Sequence, residues 1–257
     1  MGVSVDLTGR RVIVTGASSG IGADTCRTIV GCGGSVAMLA RRKDRLDELE
    51  EELGELAVGI RADVTDLDGL ETAVEEAAQS LDGLDGVVSV AGRSMVGSIA
   101  TGTPQRWREL IDLNLVGPLA TIRYAVTHFP VSGRRDIVVV GSAGAVTTLP
   151  GTGIYSASKR GLRAAVDTLR LELAGAGINV SFVMPGMFDT EGLTMDGIII
   201  DGEVPPDEFP LFADGTGPGH TPAASGPLAD TIAFLMSLPE GICINELVAR
   251  PTGELNP

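Results

Sequence analysis

The amino-acid sequence predicts an α/β fold, a doubly wound parallel sheet of about seven strands with helices on both faces. Short β-branched runs alternate with helical patterns along the chain. Several runs are apolar at consecutive positions, as strands covered on both faces must be. The first run also leads directly into a glycine-rich turn that opens a helix.

The strands are expected at 11–15, 35–39, 57–61, 86–90, 136–140, 178–183 and 242–248. Helical patterns fill 21–31, 42–53, 67–80, 104–130, 154–175 and 226–237. Pro104 suits a helix start, Pro130 an end, and Thr65 with Asp68 makes a partial capping pattern. With 257 residues, 44% of them hydrophobic, the chain can bury one large core, so 1–257 reads as a single domain. Residues 187–225 break the alternation. They are rich in glycine, proline and acid, and they follow the sixth strand at the sheet edge where open α/β folds bind ligands, so they read as a substrate-binding loop or lid.

Composition narrows the partners. Acidic residues outnumber basic ones 34 to 19, for a net charge of −15, a surface that repels nucleic acid and anionic membranes. No apolar run reaches the roughly 18 residues of a membrane span, and Met1 to Asp6 shows no basic cluster leading into an apolar stretch. Cys26, Cys32 and Cys243 lack paired spacing, which suits reduced thiols in a cytoplasm. With only His128 and His220, a zinc site is not expected. The expected partner is a small molecule.

The glycines of the first turn stand at Gly16, Gly20 and Gly22, with Ser18, Ser19 and Ile21 between them. That spacing allows a tight turn, close backbone approach to a pyrophosphate, and free N–H groups at a helix N-terminus aimed at the negative charge. A Rossmann-type dinucleotide site is therefore expected. The end of the second strand sorts the cofactor. NAD(H) sites place an acid there to accept from the adenosine ribose, whereas here Ala40 is followed by Arg41, Arg42 and Lys43. Arg41 can pair a 2′-phosphate through its planar fork, and Arg42 can share or replace that role. NADP(H) is expected in preference to NAD(H).

Tyr155 and Lys159 stand four residues apart, on one face of a helix, with Ser142 thirteen residues upstream of Tyr155. A free phenol, with a pKa of about 10, is a poor base near neutrality. A neighbouring ammonium favours the phenolate, so Lys159 is expected to lower the pKa of Tyr155.

Taken together these motifs resemble the short-chain dehydrogenase/reductase family over essentially the full length. Residues 15–22 resemble its cofactor turn, and Asp63, Val64 and Thr65 its adenine-contacting segment. Asn114, in Asn114-Leu115-Val116-Gly117, stands as the family's catalytic asparagine does, and Ser142, Tyr155 and Lys159 match the remaining catalytic positions. Pro185, Gly186, Met187, Phe188 and Thr190 resemble the segment at the nicotinamide end, and Ala91-Gly92 the end of the family's Asn-Asn-Ala-Gly, whose asparagines are here Ser89 and Val90. The resemblance implies Tyr155 as general acid–base, Lys159 on the nicotinamide ribose, Ser142 on the substrate oxygen and Asn114 on a water chain to Lys159. It also implies a homotetramer or homodimer.

For the substrate, candidate pocket residues are Arg93, Met95, Val96, Val146, Leu149, Met187, Phe188, Leu193 and Met195. The lid carries Asp189, Glu191, Asp196, Asp201, Glu203, Asp207, Glu208 and Asp214, without lysine or arginine. An acidic rim disfavours an anionic carrier and favours a small, neutral, apolar or amine-bearing carbonyl or alcohol. Two alternatives remain open: a 3-ketoacyl thioester reductase, docked on Arg106, Arg108 and Arg123, and a non-catalytic NADP-binding regulator.

Overall fold

The computed structural model describes residues 5–191, 197–202, 222–252 and 254. In chain order its strands are β1 (Arg11–Thr15), β2 (Ser35–Ala40), β3 (Ala57–Arg61), β4 (Gly86–Ser89), β5 (Met95–Gly97), β6 (Asp136–Val140), β7 (Asn179–Pro185), β8 (Phe188–Asp189), β9 (Ile199–Asp201), β10 (Ala223–Ala224) and β11 (Glu246–Ala249). The α-helices are α1 (Gly20–Gly31), α2 (Lys43–Leu53), α3 (Leu67–Ser80), α4 (Pro104–Ile111), α5 (Gly117–Ala125), α6 (Gly153–Leu173) and α7 (Gly226–Ser237).

Seven strands form one parallel sheet in the order β11-β7-β6-β4-β1-β2-β3. The inner strands alternate between two cores, because successive side chains point to opposite faces. Val12, Val14, Val36, Met38, Val88 and Val138 join Cys26, Ile29, Ile232 and Met236 of α1 and α7 on one face. Ile13, Ala37, Leu39, Val87, Ile137 and Val139 join Leu70, Val74, Ile122, Leu162 and Val166 of α3, α5 and α6 on the other. This double burial is why the strands read as unbroken apolar runs rather than alternating ones.

The strand order reverses between β1 and β4, which pair from Val12–Gly86 to Thr15–Ser89. A crevice opens at such a reversal, beyond the carboxyl ends of the strands. Thr15 closes its floor: its hydroxyl oxygen accepts from the backbone N–H of Val90 (3.1 Å) and of Ala91 (3.3 Å). At the opposite end of the sheet, the buried carboxylate of Asp136 accepts from Arg10, Arg134 and Asn179 at 2.7–3.0 Å, so its charge is compensated where β6 begins.

Two expectations change. The helix expected over 104–130 is interrupted by a π turn at Asp112–Val116, and it ends in a 3₁₀ turn at Val126–His128. Pro118 supplies the reason: it has no N–H for the carbonyl four residues back, that of Asn114. The ladder widens instead, with Gly117 N–H bonding the carbonyl of Asp112, five residues away. The last strand is also shorter than the expected 242–248. At the sheet edge only Glu246–Ala249 pairs β7, while Ile242 is exposed.

Candidate active site

The turn after β1 is built for close approach. A Cβ on Gly16, whose φ is +70°, would lie 2.9 Å from the backbone nitrogen of Ala91, and one on Gly22 would lie 2.3 Å from the carbonyl oxygen of Gly16. Only glycine lets the turn fold onto α1 and onto the loop after β4 at once. Ser19, the N-cap of α1, makes no side-chain bond to the helix, and the first turn of α1 holds no acid, so its N–H groups stay open to an anion.

These elements border a cavity of about 700 Å³. Gly16, Ser18, Ser19, Gly20, Ile21, Arg41, Arg42, Asp63, Val64, Ala91 and Gly92 line it, so the expected cofactor residues converge there. Gly22 lies behind the turn rather than on the wall. Asp63 accepts from Thr65 N–H and Oγ1 at 3.0 and 2.8 Å, which fixes the segment after β3. The two arginines differ. Arg41 is 66% exposed at the rim, 3.9 Å from Asp63. Arg42 lays its fork on the turn, donating to Ser18 Oγ (3.0 and 3.2 Å), Ser19 Oγ (2.7 Å) and Glu191 (2.7 Å).

A second cavity, about 130 Å³, shares Ile21, Val90, Gly92, Arg93 and Thr190 with the first. Tyr155 and Lys159 reach it from the first turns of α6, Ser142 from the loop after β6, and Pro185, Gly186, Phe188 and Thr190 from the end of β7 onward. Ser142 Oγ accepts from Gly144 N–H at 3.0 Å and hydrogen-bonds the phenol of Tyr155. Asn114, on the π turn, is wholly buried. Its Oδ1 accepts from Arg93 N–H (3.0 Å), and its Nδ2 donates to Arg93 O (2.9 Å) and Ser158 Oγ (3.2 Å). Ser158 in turn donates to the carbonyl of Tyr155 at 2.7 Å.

The electrostatics correct one expectation. The Tyr155 pKa is raised, opposite to the expected lowering, because burial outweighs the hydrogen bonds of Ser142 and Ser94 that pull it down. Burial also pushes Lys159 down to about 8. Burial penalises each group's charged form and so favours the protonated phenol. Lys159 Nζ lies 3.5 Å from the Val140 carbonyl, beside Gly92.

Sequence reasoning missed three participants. Ser94 hydrogen-bonds the phenol and lines the small cavity. Its only signal was its place two residues after Gly92. Ser158 links Asn114 to α6. Glu254 accepts from Met187 N–H at 2.9 Å, behind Gly186, with no local signal in the sequence. Conversely, Met95 and Val96 are buried in β5, paired to β9, and line neither cavity. The other candidates also part. Val146, Leu149 and Met187 stand off both walls, while Arg93 lines both and donates to the Gly197 carbonyl at 3.1 Å. Leu193 and Met195 lie outside the described residues, as do the acids Asp196, Glu203, Asp207, Glu208 and Asp214. Of the described lid acids, Asp201 is buried. Burial opposes its ionisation, but bonds from Thr103 and Trp107 and the charge of Arg106 hold its carboxyl below the usual range. Asp201 therefore anchors the base of the lid rather than charging its rim.

The family model described as short chain dehydrogenase matches residues 10–196. The chain belongs to this family of nicotinamide-dependent oxidoreductases. It is 33% identical over 251 residues to a glycine betaine reductase of Emericella nidulans, covering 96% of this chain but only 19% of that much longer protein. An uncharacterized oxidoreductase of Mycobacterium tuberculosis is 35% identical, with 94% and 91% of the two chains covered. A dehydrogenase/reductase crystal structure from Sinorhizobium meliloti superposes with a TM-score of 0.81 at 28% identity, over 96% of each chain. Among the described residues, no helix is long and apolar enough to cross a membrane, and no cluster of three metal-binding side chains is present.

The displaced Lys159 pKa has a consequence for stability. An unfolded lysine holds its proton up to a pH of about 10.4, whereas the folded one releases it near 8. Below pH 8 the buried ammonium therefore costs folded-state stability, and the cost fades as pH rises from 8 towards 10.4. Lys159→Met should raise the cofactor-free melting temperature at pH 7, with a much smaller gain at pH 10, as scanning calorimetry at the two pH values would show.

Proposed function

We propose that this chain is an NADP(H)-dependent reductase of small, neutral, apolar or amine-bearing carbonyl compounds, running on the corresponding alcohols in reverse, with Tyr155 as its general acid–base. The observation that supports this most is the small cavity holding Tyr155, Lys159, Ser142 and Ser94, joined to a glycine-walled cavity large enough for a dinucleotide.

The residues present fit such a cofactor: the close-packed turn admits a pyrophosphate, and Arg42 with Ser18 and Ser19 offers donors to a 2′-phosphate. When bound, the nicotinamide supplies the hydride chemistry. The chain's own residues handle the oxygen. Ser142, its acceptor side held by Gly144, donates to the carbonyl oxygen and orients it. Tyr155 gives that oxygen its proton, and the raised pKa keeps the phenol charged with that proton across neutral pH. Lys159 stands next to Tyr155 and Gly92 as a donor for the ribose side. A volume of about 130 Å³, walled by Ile21, Val90, Val140 and Phe188, favours a small apolar group over a long acyl chain. The glycine betaine reductase among the relatives is named for a small compound that bears a quaternary ammonium group.

Two measurements test the reading. Fluorescence titration should show tighter binding of NADPH than of NADH, and Arg42→Ala should erase most of the difference; an NADH preference untouched by that change would overturn the cofactor assignment. For a small aldehyde, kcat/KM for reduction should stay level through neutral pH and fall only in alkali, as the phenol loses its proton. The reverse oxidation should rise with pH over that same alkaline range. A reduction rate that already falls between pH 6 and 8 would contradict a protonated Tyr155 as the donor.

A further inference from the structure

Glu191 sits where the segment after β7 meets the cofactor turn. It lines the large cavity, and its carboxylate pairs with Arg42 at 2.7 Å and Arg45 at 3.3 Å. Ser19 also hydrogen-bonds it, so this carboxylate touches the N-cap residue of α1. Its neighbour Thr190 packs on the same turn, its Cβ 3.1 Å from where a side chain on Gly20 would begin. A cation fork and two serine hydroxyls make a site for a doubly charged oxyanion. The chain already places one of its own anions there.

We propose that Glu191 is a cofactor-specificity residue, an internal counter-ion that holds Arg42 on Ser18 and Ser19 and that a 2′-phosphate must displace or share. The proposal rests on the NADP(H) reading above and deepens it. A carboxylate and a phosphate cannot both occupy one guanidinium fork without like-charge repulsion. Glu191 therefore weakens binding of the phosphorylated cofactor selectively, because a free 2′-hydroxyl brings no charge to this corner. Arg41, on the wall of the same cavity, pairs with Asp63 at 3.9 Å rather than with Glu191.

The test is titration of NADPH and NADH, by nicotinamide fluorescence at low ionic strength, into the wild type, Glu191→Gln, Arg42→Ala and the double variant. Glu191→Gln should tighten NADPH binding about threefold, the range expected for a half-exposed ion pair, and leave NADH nearly unchanged. In the Arg42→Ala background the same change should have no selective effect, and added salt should shrink the difference. Equal changes for both cofactors, or weaker NADPH binding in Glu191→Gln, would overturn the proposal. A wild type that prefers NADH would overturn the NADP(H) reading itself, a distinct result because it is read without any substitution at Glu191.

Discussion

The wholly buried carboxamide of Asn114 holds three distant stretches of chain in register. Through Arg93 it fixes the loop after β4, which brings Gly92 and Ser94 to the cavities. Through Ser158 it reaches α6 at the carbonyl of Tyr155, one turn before Lys159. Its own place depends on the π turn that Pro118 imposes by withholding a hydrogen bond. A buried amide left without partners costs about 1–3 kcal/mol per group, so these bonds are mutually enforcing. The loop, the π turn and the helix hold each other, and the small cavity is the space they leave.

Burial acts on both titratable groups that face that space. Burial raises the phenol and lowers the lysine, so the protein alone favours a protonated acid beside a weakly basic amine. The serines refine the balance by hydrogen-bonding the phenol, without reversing it.

Much of this was legible in the sequence, for reasons that differ by element. The inner strands showed because double burial forces apolar runs, and the cofactor turn because a Cβ on Gly22 would lie 2.3 Å from the Gly16 carbonyl oxygen, so that position takes only glycine. Ser142, Tyr155 and Lys159 stood out through their spacing and Asn114 through the family resemblance, and the structure brings their neighbourhoods together. The π turn was hidden because a helical pattern does not record one widened bond, although Pro118 was its visible cause. Met95 and Val96 looked like pocket residues because apolar side chains near a glycine loop serve equally well as the core of a short strand. The roles of Glu191 and Asp201 could not be told from charge alone. One pairs with arginines across the turn and the other is buried against Trp107, and only the tertiary fold separates them.

The most direct test of the acid–base role is single-turnover oxidation of bound NADPH by a small aldehyde in Tyr155→Phe. The ring still fills its place without the proton, so NADPH should bind as before while hydride transfer slows by about 10²- to 10⁴-fold. Transfer at the wild-type rate in that variant would contradict the account.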